Sequence, residues 1–484
     1  MRLGARGTAV AGAVAAVVVI GVLRPLAVTA GTEPDGGFSP GAPGLGDPWN
    51  PLAGNGGYRV GHYDLDLAYE PRTRRLDGKA RITARATQNL SRFDLDLQGL
   101  SVRQVTVNGR RAGFDRQGQE LRITPERGLP DRSRFTVTVD YGGTATPKQD
   151  DAGPTGFVPT PDGAVVTGGA DTASTWFPSN DHPSNKATFD FRVRVPAGLN
   201  VVANGDPRGR SSAGGTTVHR WSESSPMAPH LATVDIGRWQ VRQGRTPGGI
   251  PQYVAIDPGL REPERPMEFF WNNTARVTDV WRSRFGPYPF GSTGAIAIAA
   301  TYEGKPVPVS QETQTRPVYS QLDGDTLIAH ELAHQWFGDS VGLTAWNQIW
   351  LSEGFATFAA WYWDELNGRD TAHDQAVKTY NTFPADHPFW KMLIADIPNP
   401  DTGDPDQVSG PRGYLGGAMA LQFLREKLGD QAFFAVLRAW TQRYRHGNAT
   451  TAQFAALASE VSGRDLRSFF DTWVFSPGRP ELPG

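Results

Sequence analysis

Cysteine is absent from all 484 residues. That excludes disulfides, thiolate metal ligands and a cysteine nucleophile, and leaves His, Asp and Glu to hold any metal. Net charge is also scarce, because 48 Lys and Arg nearly balance 50 Asp and Glu and leave −2 at neutral pH. Such a balance gives no reason to expect nucleic acid or an anionic membrane surface as partner. Apolar runs of membrane length are lacking beyond the N-terminus. What is present is aromatic mass: 14 Trp and 24 Phe in a chain that is 38% hydrophobic. Chain length and composition together describe a globular protein of two or three domains with sizeable cores.

The N-terminus reads as a targeting segment. Arg2 and Arg6 precede the uncharged run "GTAVAGAVAAVVVIGVL", which Arg24 closes, and "LAVTA" follows with small side chains at Val28 and Ala30. The pattern is that of an export signal over residues 1–30, with a retained N-terminal anchor as the alternative. Either way the protein is expected outside the cytoplasm, secreted or at the cell surface. Residues 31–57 hold nine Gly and five Pro and read as an irregular lead-in.

From Tyr58 the pattern alternates with period two. "YDLDLAY" sets Tyr63, Leu65, Leu67 and Tyr69 on one face, and "ARITARA", "FDLDLQ", "FTVTVDY" and "FDFRVRV" repeat the signal. Turn residues such as Asn108-Gly109 separate these runs. Near residue 245 helical spacing takes over, first through Phe270, Val277, Trp281 and Phe285, then around 326–338, 347–366, 412–428, 430–445 and 451–473. The expected fold is therefore multidomain α+β. A β-rich saddle or sandwich domain over 58–245 precedes a mainly helical domain over 246–484.

The chemistry gathers in "LIAHELAHQWFGD", residues 327–339. Residues four apart share a helix face, so the imidazoles of His330 and His334 can converge on one ion. Glu331 is turned about 100° away, placed to address a water rather than the metal. Asp325 is expected to cap this helix. His-Glu-x-x-His also arises by chance in unrelated chains, and a catalytic zinc needs a third protein ligand. Glu353, in "WLSEGFATFAAWYW", supplies one: a short connection returns an antiparallel helix, and a carboxylate in so apolar a helix is costly unless paired or metal-bound. One Zn²⁺ per chain on His330, His334 and Glu353 is the expectation. The other histidines (His62, His182, His219, His230, His373, His387 and His446) lack ligand spacing and read as structural or surface residues.

"HELAHQWFGD", the spacer after it and "WLSEGFATF" resemble the zinc site of the gluzincin aminopeptidases typified by aminopeptidase N. "YDLDLAYEPRTRRLDGKARI", "TWFPSNDHPSNKATF", "FGPYPF", "YLGGAMALQFLREKLG" and "DLRSFFDTWVFSPG" extend the resemblance over most of residues 58–484. It implies a thermolysin-like catalytic domain, peptide substrates and a short member of the family without a C-terminal helical domain. It also implies roles: Glu331 as general base, Tyr414 as donor to the oxyanion, and Glu312 as anchor for the substrate α-amine. Three departures stand out. Gly169 occupies the position, eight before Phe177, where many relatives carry a Gln or Glu that helps hold the amine. Val309, Ser310 and Gln311 replace the usual neighbours of the anchoring glutamate at the first substrate pocket. Gln348 stands where Asp is common. A zinc endopeptidase and a catalytically silent zinc-containing surface binding protein are the alternatives. A monomer without nucleic-acid partners, and without membrane contact beyond an N-terminal anchor, completes the expectation.

Overall fold

Alternating apolar residues build the first half. In the computed structural model, which describes residues 37–149, 153–261, 264–307, 310–320, 324–399 and 409–482, Tyr58–Glu70 and Arg75–Ala86 pair as a long antiparallel hairpin. Tyr63, Leu65, Leu67 and Tyr69 are all buried on its inner face, as period two requires. This hairpin is the middle of an eight-stranded sheet. Arg134–Thr144 flanks it on one side antiparallel, and Ala187–Pro196 lies on the other side parallel. Asn108 and Gly109 both adopt positive φ, 52° and 77°, and turn Ser101–Val107 into Arg110–Arg111, as a two-residue hairpin loop demands. Buried side chains of a smaller four-stranded and a five-stranded sheet share one core with that inner face. The segment expected to direct export, 1–30, lies outside the described residues.

The lead-in is irregular over 41–57, as expected, but it is packed against the rest of the chain and does not hang as a linker. From Phe38 onward the chain packs as one compact unit, and Ser39–Pro40 already pairs parallel with Leu90–Asp96.

The second half begins with a four-stranded sheet that includes Gln240–Arg245, Pro251–Ile256 and Thr293–Ala297, so its pairing starts slightly ahead of the change in periodicity. Three helices matter most: α1 (Pro266–Phe285), α2 (Asp325–Ala333) and α3 (Trp350–Leu366). Every residue of α3 from Trp350 to Trp363 is buried, which makes it the central helix of the core. Indole donors tie α2 to α1: Trp281 Nε1 donates to the Ala329 carbonyl at 3.0 Å and Trp336 Nε1 to that of Gly286 at 3.1 Å. The helical signal over 451–473 resolves into two helices, Thr451–Ser462 and Arg467–Trp473, because Gly463 turns left-handed at φ 66°. A helix missed by apolar spacing, Ala372–Thr382, opens on a capping box between Thr371 and Asp374. Lys186, from the β-rich half, donates to the carbonyls of Asp339, Ser340 and Gly447 at 2.6–2.9 Å and locks that half onto the turn behind α2.

Candidate metal centre

The two imidazoles meet where helical pitch places them. His330 lies in the last turn of α2 and His334 is its C-cap, still in helical conformation, with their Nε2 atoms 3.2 Å apart. His334 Nδ1 lies 3.1 Å from the Phe337 carbonyl and 3.0 Å from Ser352 Oγ. A proton on Nδ1 satisfies that carbonyl and leaves the Nε2 lone pair free, the usual device for orienting a metal-binding histidine. The 3₁₀ turn Trp346–Gln348 then reverses the chain into α3, whose first turn brings Glu353 back. Its Oε2 is 3.3 Å from Nε2 of both histidines.

Asp325 does not cap α2. Gly324 occupies the cap, with φ 80° and no side-chain bond, and Asp325 is the first helical residue. Its carboxylate accepts instead from Arg369 at 2.9 Å, because an arginine fork competes well for a partly exposed carboxylate at a helix start.

Three donor atoms about 3.3 Å apart match the edge of a tetrahedral zinc site with metal–ligand bonds of about 2.0–2.2 Å. Among the described residues this is the one cluster of three or more His, Asp or Glu whose donor atoms all lie within 4.8 Å of one another. Glu353 Oε2 is buried and receives no hydrogen bond from the protein, which is the state of a ligand atom kept for a cation. Burial alone would raise the Glu353 carboxyl, yet His334 and His330 hold it well below the usual carboxylate range. Burial alone would lower His334, yet the carboxylates of Glu353, Glu312 and Glu331 push it up to about 10. The donor set fits zinc.

The other expected residues border the same cleft, a cavity of about 840 Å³. Glu331 is 6% exposed and burial drives its carboxyl well above the ordinary range. Tyr414 lies in a single π-helical turn, Arg412–Gly416, a rare geometry that is frequent at functional sites. Its ring runs parallel to that of His330, 3° between planes at 6.3 Å, and stays 39% exposed toward the cleft. Glycine makes this approach possible. A Cβ on Gly354 would meet Gly417 Cα at 2.9 Å, so only a glycine pair lets the Tyr414 segment cross α3 one residue beyond Glu353.

Glu312 is held from behind. Gln311 exchanges backbone hydrogen bonds with Val318 at 2.8 Å, and Gln335, just beyond the end of α2, bonds both the Glu312 carbonyl and the Thr315 amide. Gln335 was not foreseen. Gly169 offers the cleft backbone alone, and Gln311 packs so tightly on Gly168 that a Cβ there would lie 2.3 Å from its amide carbon. Val309 lies outside the described residues. Gln348 is turned away: its Oε1 accepts from the Thr451 amide at 2.8 Å and its Nε2 donates to Thr344 at 3.0 Å, so it clamps a helix start. Lining residues without a motif also escaped the sequence reading. Trp49, Asn50, Lys148, Asp171 and His230 all border the cleft. The visible cue was a tryptophan set after Asp47-Pro48 in a Gly/Pro-rich stretch.

A β-rich half, a helical half and three converged donors beside a glutamate make up a fold with a candidate zinc centre. The chain matches the Peptidase M1 N-terminal domain over residues 60–231 and the Peptidase family M1 domain over residues 300–473. It belongs to the M1 family of gluzincin, aminopeptidase N-like peptidases. Aminopeptidase N of Lactococcus lactis subsp. cremoris is 25% identical over 442 residues, covering 87% of this chain and 51% of that protein. Leucyl aminopeptidase of Saccharolobus solfataricus is 26% identical, covering 87% and 54%. The chain thus spans about half the length of these curated relatives. An M1 zinc metallopeptidase from Deinococcus radiodurans superimposes with a TM-score of 0.78 at 27% identity, covering 91% of this chain and 99% of that one. A mutant of that protein bound to a Tyr-Ser-Ala substrate aligns equally well, at 26% identity and the same coverage.

Proposed function

We propose that the chain is a zinc-dependent aminopeptidase that removes N-terminal residues from peptides. The observation carrying this reading is that Glu312, Glu331 and Tyr414 border the one cleft whose wall holds His330, His334 and Glu353. When bound there, zinc supplies Lewis acidity, polarising the scissile carbonyl and acidifying water. Glu331 takes the proton of the attacking water and hands one to the departing amine. The Tyr414 hydroxyl donates to the oxygen that gains charge at the tetrahedral stage. The Glu312 carboxylate pairs with the free α-amine and so counts the substrate from its N-terminus.

The bare backbone at Gly169 favours a second reading, a zinc endopeptidase with the same chemistry and no requirement for the amine. Hydrolysis of a matched pair of peptides, one free and one acetylated at its N-terminus, separates the two. Cleavage of the free peptide at its first bond, with the acetylated one left intact, is the expected result. Interior cleavage of both would establish the endopeptidase.

Three further elements belong to the proposal. The boundary near 245 between the β-rich and catalytic domains is supported by the two family matches, which fall on either side of it. Export of the chain, to the medium or the cell surface, is supported by the Arg-flanked apolar run and the small residues up to Ala30. A monomer acting on peptides is supported by the self-contained site, in which all three donors come from one chain.

A further inference from the structure

Residues 47–50, far from α2 in sequence, reach the catalytic cleft and are fastened there from several directions. The Asp47 carboxylate is withdrawn from solvent and organises the turn. Its Oδ1 accepts from the amides of Trp49 at 2.8 Å and Asn50 at 3.3 Å. Its Oδ2 accepts from the Trp346 amide at 2.8 Å and faces His182 Nε2 at 3.1 Å. On the other side Trp49 Nε1 donates to the Ile397 carbonyl at 2.7 Å, and the Trp49 carbonyl accepts from Asn399 Nδ2 at 2.9 Å. Asn50 closes the arrangement through Asp171 Oδ2 at 2.9 Å. The indole therefore has one orientation.

That orientation faces an aromatic wall. Trp49 stacks on Trp346 with 14° between planes and 6.3 Å between centroids, and His230 meets Trp346 edge-on at 4.8 Å. Burial lowers His230 to about 3, so the ring is a neutral aromatic and not a cation at working pH. Trp346 and His230 are almost fully buried, whereas Trp49 is half-buried and all three border the cleft. The rest of the rim at this point is polar, with Asn50, Asp171 and Lys148. A flat apolar face with fixed orientation, set among polar groups, is how a pocket selects a side chain: the apolar surface supplies the affinity and the polar groups fix the register.

We propose that Trp49, backed by Trp346 and His230, is a specificity-determining residue of the cleft and forms a subsite for a large apolar or aromatic side chain of the peptide. The ligand class rests on the peptidase reading above; the placement of the wall does not. The lead-in is then part of the substrate site.

The test is a calorimetric binding titration on the zinc-loaded full chain carrying Glu331→Gln, so that peptides persist. The ligands are free-amine trialanine and its three variants with one Phe. In this background Phe tightens binding at one position. Adding Trp49→Ala lowers that Phe-over-Ala preference about tenfold, the scale of one aromatic side chain losing its apolar cover. Trp49→Leu, which keeps apolar bulk against Trp346 but not the flat face, lowers it as well and reads out even if the alanine variant does not fold. Trp49→Phe restores most of it. A Phe preference unchanged in Trp49→Ala or Trp49→Leu, or no such preference in the starting chain, overturns the proposal. Failure of the aminopeptidase reading has a different signature, equal binding of acetylated and free peptides, and leaves the Phe-over-Ala comparison intact.

Discussion

Glu331→Gln is expected to lower kcat by about 10²–10⁴, the range that a positioned proton-transfer group contributes, while zinc stays bound at one per chain. The substitution keeps size and hydrogen bonding and removes the carboxyl assigned to accept and return a proton beside the cluster. Glu331 projects from α2 about 100° round the helix from His330 and is not among the converged donors, so metal content has no reason to change. Substrate KM should move little, since the α-amine anchor Glu312 comes from another segment, the edge formed by the Gln311–Val318 bridge. Metal analysis and steady-state kinetics on one sample check both halves of this prediction. Loss of zinc together with activity would reassign Glu331 to the coordination sphere.

Removing a ligand should act differently. Glu353→Ala leaves two imidazoles whose Nε2 atoms lie 3.2 Å apart and takes away the only carboxylate among the described residues that lies within 4 Å of both. A zinc site reduced from three protein ligands to two is expected to lose its metal on dialysis, and hydrolysis with it. The same change should lower thermal stability, because an ion that binds only the folded chain stabilises it by mass action, about 4 kcal/mol at a thousandfold excess over Kd. Chelator-treated wild type should melt where the variant melts. A variant that stays fully active, or a wild type whose melting ignores chelator, would remove the metal from the account.

How much of this was legible in the sequence follows the range of each signal. Tyr63 to Tyr69 and the helix at Pro266–Phe285 were readable because period two and helical spacing are local. His330 and His334 were readable for the same reason, one helical turn apart. Glu353 needed one step more, an antiparallel return, and α3 supplies it. Tyr414 and Glu312 carry no local pattern and were reached only through resemblance to a family. The close approach that seats Tyr414, Gly354 against Gly417, joins positions that no periodicity connects. Asp325 illustrates a local rule overridden, since an arginine 44 residues away claims its carboxylate. Ala372–Thr382 was missed although its capping box was visible, because its buried face is made of the small residues Ala372, Ala376 and Thr379. Trp49 was out of reach: its hydrogen bond to Ile397 spans 348 residues and starts from a stretch whose glycines and prolines suggest only irregular chain.

The central claim is that one metal, held by His330, His334 and Glu353, is required for hydrolysis at this cleft. The most direct measurement is a zinc titration of chelator-stripped protein, following cleavage of a free N-terminal peptide. Activity should be absent at the start, rise in proportion to added zinc and level off at one equivalent per chain. Hydrolysis by the fully stripped protein, or activity that never returns with zinc, would contradict the account.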